Sequence, residues 1–185
     1  MTYPFHCLRA RAVLGRGGVI AYPTEGVWGL GCDPFNKSAV ERLLALKNRP
    51  WQKGLIVALA NDHVAKALLL GLPQDRQNAI KATWPGPNTW LVPHRDLWPS
   101  WVTGDSDFIA CRLSAYSVVR DLARAAGGAI ISTSANPAGQ PAAMTAQQVR
   151  QYFGHSVDLI MPGKVQGLQK PSVIRHGFTG ETLRG

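Results

Sequence analysis

The chain has 185 residues, 45% of them hydrophobic and 17% charged, which suits one globular domain and excludes a disordered chain. Its apolar runs, such as residues 54–60, are too short to span a membrane, and its N-terminus lacks a signal-peptide core, so we expect a cytoplasmic protein without a membrane partner. A net charge of +9 favours an anionic partner: nucleic acid, a nucleotide or another phosphate compound.

The first elements of the chain are predicted from its apolar runs and its glycines. Residues 6–16 predict an amphipathic helix that ends at Gly17 and Gly18. The apolar run at 19–22 then predicts a buried strand. The stretch AYPTEGVWGLGCDP, residues 21–34, follows with three glycines, which allow tight turns and close approach of other backbone.

The second helix is predicted from a capping-box pattern. Ser38 is followed three residues later by Glu41, and the helix must end before Pro50. Residues 55–59 predict a second buried strand, and Asn61 is placed to cap a further helix.

The rest of the chain continues the alternation and then closes with short strands. The further predicted elements are a helix from Pro73 to about Thr83, a strand within 84–93, a strand at 108–113, a helix over about 116–126, a strand at 129–132, a helix capped by Thr145 and Gln148, and late strands in DLIM, SVIR and ETLR. This order predicts an α/β fold with a mixed sheet flanked by helices, as one domain over residues 1–185.

The common nucleotide and metal fingerprints do not match. The GLG at 29–31 does not complete G-x-G-x-x-G, because position 34 is proline, and Gly163-Lys164 lacks the rest of a P-loop. The three cysteines have no C-x-x-C spacing, and no H-E-x-x-H or paired-carboxylate motif is present. No metal ligands are therefore assigned, and a nucleotide would need another arrangement.

Two polar stretches are candidates for that arrangement. Lys47 and Arg49, in LKNRP, offer a point charge and a bidentate fork for phosphates or carboxylates, but cations at this place also complement a helix C-terminus. The loop ISTSANPAG, residues 131–139, is rich in hydroxyls, an amide and backbone N–H groups that suit an oxyanion, although it also reads as an ordinary Ser/Asn turn.

These stretches occur in one order with several others: AYPTE, GLGCDP, LKNRP, KGLIV, WPGPNT, CRL, STSANPAG, PSVIR and LRG. The set strongly resembles the YrdC/TsaC family, the single-domain bacterial threonylcarbamoyl-AMP synthases, from about Val19 to the C-terminus. The resemblance implies an open, twisted α/β sheet with a basic concave face. It also implies a nucleotidyltransferase that condenses L-threonine, bicarbonate or CO₂, and ATP, with Mg²⁺, to L-threonylcarbamoyl-AMP and pyrophosphate.

The resemblance also implies roles for particular residues. The family's catalytic tetrad, which also contacts the nucleotide, falls on Lys47, Arg49, Ser134 and Asn136. Lys53 and Arg184 fall at further nucleotide positions, and the threonine contacts fall on Thr24, Arg112, Ser132 and Ser172.

Two positions depart from the family pattern. Many relatives place a threonine where this chain has Gly26, and some place a histidine where Ala58 stands, so we expect threonine to be recognised by other groups. The family's product serves tRNA modification, which makes tRNA or a downstream transferase complex a candidate partner. The alternative function left by the charge of +9 is a non-catalytic RNA-binding module.

Overall fold

The computed structural model describes residues 3–168 and 172–184, so Pro171 and Gly185 of the quoted motifs lie outside the described residues. The helices are α1 Tyr3–Gly15, α2 Lys37–Lys47, α3 Asp62–Leu69, α4 Gln74–Thr83, α5 Ser100–Thr103, α6 Ser117–Ala125 and α7 Ala146–Phe153, with 3₁₀ turns at Trp51–Lys53 and Gly154–Ser156. The strands are β1 Ile20–Pro23, β2 Trp28–Gly31, β3 Ile56–Leu59, β4 Asn88–Pro93, β5 Phe108–Arg112, β6 Ala129–Ile131, β7 Thr133–Ser134, β8 Leu159–Ile160, β9 Val173–His176 and β10 Thr182–Arg184.

The strands form two sheets, each with parallel and antiparallel pairs. One sheet has the order β7-β2-β1-β8, and the other has the order β10-β9-β4-β5-β3-β6. The predicted α/β class with mixed strands flanked by helices is confirmed. Its strands are divided between these two sheets.

The two sheets meet where the chain leaves β6 and enters β7. Ile131 ends β6 in the larger sheet, and its N–H donates to the Cys32 carbonyl, 3.0 Å away, directly after β2 of the smaller sheet. The N–H of Ser132 donates to the Ile56 carbonyl at 2.7 Å. Because β7 begins at Thr133, the single residue Ser132 lies between the sheets.

Two clusters of buried hydrophobic residues lie on the two faces of β1. Along β1, Ile20 and Tyr22 belong to one buried cluster and Ala21 to the other, as the two-residue period of a strand requires. The smaller cluster is closed by α1 and α6, which contribute Leu14 and Leu122. Burial of such a leucine stabilises the fold by about 1.5–3 kcal/mol.

The capping box predicted at Ser38 is wrong. Helix α2 begins at Lys37, and its N-cap is Asn36, whose side-chain oxygen accepts the N–H of Ala39 at 3.0 Å. Asparagine is as good a cap as serine, and the N–H of Asn36 also closes a turn onto the Asp33 carbonyl at 3.2 Å. Other caps are confirmed, namely Asn61 for α3 and the Thr145–Gln148 capping box for α7.

The glycine-rich stretch contains a strand that was not predicted. Residues 28–31 form β2, which pairs antiparallel with β1 and makes the stretch a hairpin. A Cβ atom on Gly31 would lie 2.3 Å from the Ile131 carbonyl oxygen, so a bare residue is required there.

Helix α1 begins at Tyr3, earlier than the predicted residue 6, and its apolar residues do not share one face. Ala10 and Leu14 are buried, whereas Phe5 and Leu8 are 59% and 64% exposed. The sequence also gave no indication of the four-residue helix α5 or of β7.

Candidate active site

One cleft at the junction of the two sheets gathers all ten predicted site residues. The β1–β2 turn, the end of α2, the end of β5, the β6–β7 crossing and the C-terminal strand pair each contribute to it. The ten residues are Thr24, Lys47, Arg49, Lys53, Arg112, Ser132, Ser134, Asn136, Ser172 and Arg184. Their convergence is a finding, whereas their individual roles stay predictions.

Lys47 is the last residue of α2, and its ammonium group is buried against the donor-rich loop. The side chain is 5% exposed, and Nζ donates to the backbone carbonyls of Ser134 and Asn136, the latter at 2.9 Å, and to Asn136 Oδ1 at 3.3 Å. Burial, and then the nearby charge of Arg49, lowers the pKa of Lys47 to about 8. Lys47 therefore holds the loop in place.

Ser134 and Asn136 are bonded to each other as well as to Lys47. The Ser134 hydroxyl donates to Asn136 Oδ1 at 2.6 Å, and Asn136 Nδ2 donates to the Gln140 carbonyl at 2.7 Å. The N–H of Ala138 donates to the Lys47 carbonyl at 2.8 Å. This network fixes the loop after β7 against the end of α2, so the shape of that cleft wall is set before a ligand binds.

Arg49 follows a left-handed cap residue, Asn48, which turns the chain out of α2 and into the cleft. Its Nη2 donates to the Gly54 carbonyl at 2.8 Å and to the Lys53 carbonyl at 3.2 Å. Its Nε is buried and has no hydrogen-bond partner among the described residues. Burial lowers the pKa of Arg49, so this guanidinium is held partly desolvated beside an open cleft.

The opposite wall contains a buried arginine and a carboxylate. Arg112 Nη2 donates to the Ser132 hydroxyl at 2.9 Å, and Arg112 Nη1 lies 3.7 Å from Glu25 Oε2. The Ser114 hydroxyl donates to Glu25 Oε1 at 2.5 Å. Glu25 and Ser114 were not assigned roles from the sequence, and a lone carboxylate directly after Thr24 was the available signal.

The C-terminal strands contribute a further cation and a hydroxyl. Arg184 Nη2 donates to the Ser172 carbonyl at 3.1 Å, and the hydroxyls of Ser172 and Thr89 are 2.7 Å apart. Burial, followed by the positive charges of Arg49 and Arg112, lowers the pKa of Arg184. The charges of Arg49 and Arg112 therefore each oppose the charge of Arg184.

Thr24 offers less to a ligand than expected, and Gly26 and Ala58 offer no side chain, as expected. The Thr24 hydroxyl donates to the Val27 carbonyl at 2.6 Å and so closes the hairpin turn. Gly26 lines the cleft with backbone alone. Ala58 is fully buried in the core on β3, so its position presents no side chain to the cleft.

The charge of the cleft suits a polyanion. Among the described residues, its lining contains five cationic side chains, those of Lys47, Arg49, Lys53, Arg112 and Arg184, and one carboxylate side chain, that of Glu25. Within residues 3–168 and 172–184 no three His, Cys, Asp or Glu side chains cluster as metal ligands. No described helix has the length and hydropathy needed to cross a membrane.

A family model and a curated relative both match nearly the whole chain. The family model Sua5_yciO_yrdC, described as telomere recombination, matches residues 12–184. The threonylcarbamoyl-AMP synthase of Pseudomonas putida strain F1 is 52% identical over 184 residues, which cover 100% of this chain and 99% of that protein.

Two solved structures of P. abyssi Sua5 also match the fold. One, a double variant, has a TM-score of 0.90 and 26% identity, covering 98% of this chain and 56% of that one. The other, complexed with L-threonine, has a TM-score of 0.85 and 28% identity, covering 92% of this chain and 50% of that one. This chain therefore spans about half the length of those Sua5 chains.

Proposed function

This chain belongs to the Sua5/YciO/YrdC family, and we propose from that premise that it is a threonylcarbamoyl-AMP synthase. It condenses L-threonine, bicarbonate or CO₂, and ATP to L-threonylcarbamoyl-AMP and pyrophosphate, which makes it a nucleotidyltransferase. The observation that carries this proposal is the 52% identity, over nearly the whole of both chains, to an enzyme of that name. The convergence of the ten predicted residues on one cationic cleft supports it.

The chemistry requires two anions to meet. A carbamate formed on the threonine nitrogen must attack the α-phosphate of ATP while both groups are negatively charged. Fixed cations and preorganised donors in a partly desolvated cleft lower the free energy of that transition state and hold the reactants in line. No protein nucleophile is needed for this reaction, since the carbamate oxygen itself forms the bond to phosphorus and pyrophosphate leaves.

The nucleotide occupies the side of the cleft formed by the end of α2 and the loop after β7. Arg49 and Arg184 direct guanidinium groups to the phosphates, and Lys53 adds an exposed charge. Lys47, Ser134 and Asn136 shape the loop whose backbone and hydroxyl donors face the reacting phosphate.

Threonine occupies the side formed by the β1–β2 turn and the end of β5. Arg112 binds the carboxylate, and Ser132 and Ser172 supply hydroxyls, in a pocket bounded by Thr24. Because Gly26 has no side chain, backbone groups of the turn take the place of the threonine found there in many relatives.

Magnesium enters this proposal as a component of the substrate MgATP. Mg²⁺ favours carboxylate and phosphate oxygens, and in the described part of the cleft lining only Glu25 carries a carboxylate side chain, 3.7 Å from Arg112. The donor set of the described residues does not fit a metal held by the protein alone. The ATP phosphates therefore supply the metal ligands.

The proposed function is tested by measuring pyrophosphate release from ATP and Mg²⁺ with purified protein. Release should require L-threonine and bicarbonate together, and L-threonylcarbamoyl-AMP should be detected by mass spectrometry. Release that is unaffected when either L-threonine or bicarbonate is omitted would contradict the proposal.

A non-catalytic RNA-binding module is the second candidate, favoured by the net charge of +9. It predicts tight RNA binding with a steep salt dependence and no threonine-dependent reaction. We place the synthase in the cytoplasm, upstream of tRNA modification, so weak electrostatic binding of tRNA or docking on the downstream transferase complex is compatible with it. The pyrophosphate assay separates the two candidates.

A further inference from the structure

Glu25, the one carboxylate side chain among the described residues of the cleft lining, is unexplained by the anionic chemistry described above. Glu25 is 4% exposed and lies among five cationic side chains. A buried carboxylate repels phosphates and the carbamate, and it costs free energy unless it is hydrogen-bonded and paired. Its presence therefore requires a partner with N–H donors or positive charge.

Among the described residues, only one of the two oxygens of this carboxylate has a hydrogen-bond partner. Oε1 accepts the Ser114 hydroxyl at 2.5 Å, which orients the group. Oε2 is buried and has no hydrogen-bond partner among the described residues, and the same holds for Nε of Arg112. Arg112 Nη1 lies 3.7 Å from Oε2, which is an ion pair without a hydrogen bond.

A purely structural ion pair does not account for this arrangement. Buried polar atoms in folded proteins are nearly all hydrogen-bonded, and a buried pair that only stabilised the fold would satisfy its own donors and acceptors. Here Glu25 and Arg112 each keep one buried, unpartnered atom, and both residues line the same cleft. One atom is an acceptor and the other is a donor.

We propose that Glu25 and Arg112 together recognise the amino-acid zwitterion, with Glu25 Oε2 accepting the α-ammonium group and Arg112 binding the α-carboxylate. This inference rests on the proposed function and identifies the group that binds the amine of L-threonine. The α-ammonium is the one cationic group that threonine, bicarbonate and ATP carry, so it fits the carboxylate in sign. When bicarbonate carbamoylates this nitrogen, water and one proton are released, and the remaining N–H can still donate to Oε2 and hold the carbamate in place.

The pair supplies an amine-recognising group next to Gly26, in addition to the backbone groups of the β1–β2 turn. A site built to hydrogen-bond an amine rejects the analogue that lacks it far more strongly than an apolar pocket rejects a missing methylene. Specificity for an α-amino acid therefore comes from Glu25, the residue directly before Gly26.

The test compares binding of L-threonine and (R)-3-hydroxybutyrate, which lacks only the amine, by NMR titration without ATP and with EDTA present. In Glu25→Gln the affinity for L-threonine should fall at least tenfold, while the affinity for (R)-3-hydroxybutyrate should change less than threefold. Glu41→Gln, the same change on the exposed face of α2, should bind both ligands as the wild type does. Glu25→Asp, which keeps the charge but shortens the side chain, should also lose affinity for L-threonine and serves if Glu25→Gln does not fold.

Three results would overturn the inference alone. These are unchanged L-threonine binding in the variants, an equal loss for both ligands, which indicates a structural role, and an amine preference that appears only when Mg²⁺ replaces EDTA, which indicates a metal ligand. A wild-type protein that binds no L-threonine would overturn the proposed function as well, so the two failures are distinguishable.

Discussion

At the scale of single residues, the cleft contains cations with different tasks. Lys47 directs its ammonium group at three acceptors of the loop after β7, whereas Arg49 keeps a buried Nε without a partner among the described residues. Lys47 therefore acts first as a support for the loop, and Arg49 is the better-placed ligand for a phosphate. The shifted pKa of Lys47 makes its role measurable.

The stability contributed by Lys47 should depend on pH. Its folded-state pKa is about 8, below the ordinary value of 10.5, so between these values the unfolded chain binds a proton that the folded chain does not. Raising the pH through this window therefore favours the folded state. From pH 7.5 to 9.5 the free energy of unfolding of the wild type should rise by about 2 kcal/mol relative to Lys47→Met, measured by urea denaturation. A constant difference between the two proteins across this range would contradict the lowered pKa.

Arg49 should be needed for the bidentate geometry of its guanidinium group and not only for its charge. Arg49→Lys keeps the positive charge but removes the bidentate geometry, so kcat/KM for ATP should fall at least tenfold, equivalent to about 1.4 kcal/mol. Arg150→Lys, an exposed change on α7, should leave kcat/KM unchanged. Equal kinetics for Arg49→Lys and the wild type in pyrophosphate release would show that Arg49 acts as a point charge or not at all.

The sequence predicted the members of the cleft better than their contacts. The ten residues follow from the ordered motifs, and the fold places them together. Glu25 escaped assignment because a lone carboxylate has no paired acid or metal spacing to identify it. Its partner Ser114 is 89 residues away, so the contact exists only in the tertiary structure.

At the scale of elements, the N-cap of α2 is the point where the sequence prediction, Ser38, differs from the structure, Asn36. If Asn36 caps the helix, Asn36→Ala should lower the free energy of unfolding by about 1 kcal/mol, because the N–H of Ala39 loses its acceptor. Ser38→Ala should change it by less than about 0.5 kcal/mol. Urea denaturation of both variants decides between the two caps, and the reverse order of effects would restore the predicted capping box.

The β1–β2 hairpin should depend on one glycine in particular. Alanine at Gly31 would place Cβ 2.3 Å from the Ile131 carbonyl oxygen and 2.9 Å from the Tyr22 ring, so backbone would have to shift. We expect Gly31→Ala to destabilise the protein by about 1–3 kcal/mol. Gly15→Ala, at the end of α1, is the matched control and should be neutral or stabilising, because an added Cβ would meet no atom within 4 Å outside its own helix backbone and chain neighbours. Equal free energies of unfolding of the two variants in urea would show that the backbone at the sheet junction shifts at no cost to make room for the added Cβ.

The same glycines explain why the fold was only partly predictable. Apolar runs and caps identified β1, β3 and α3 because local propensity and burial agree there. Strand β2 was missed because Gly29 and Gly31 lower strand propensity, and the reason for them is the approach of a distant carbonyl. Nothing local could have shown that two sheets meet at Ser132.

At the scale of the whole molecule, part of the net charge of +9 is gathered in one cleft. Five cationic side chains of the described residues line this cleft, and burial, followed by the positive charges of Arg49 and Arg112, lowers the pKa of Arg184. Clustered cations of this kind bind polyanions but lower the stability of the protein without a ligand, because their mutual repulsion is relieved only when an anion binds.

Arg184 allows the effects of charge on stability and on ligand binding to be measured separately. It lies on the exposed edge strand β10 and is not part of the core. In ligand-free Arg184→Gln, the free energy of unfolding should equal or exceed that of the wild type, because a repulsive charge is removed. The increase produced by saturating MgATP should be smaller by about 1.4 kcal/mol, which corresponds to tenfold weaker binding. Urea denaturation with and without MgATP measures both quantities. A ligand-free variant clearly less stable than the wild type would show that Arg184 stabilises the fold through its bond to the Ser172 carbonyl, and an undiminished response to MgATP would remove Arg184 from the nucleotide site.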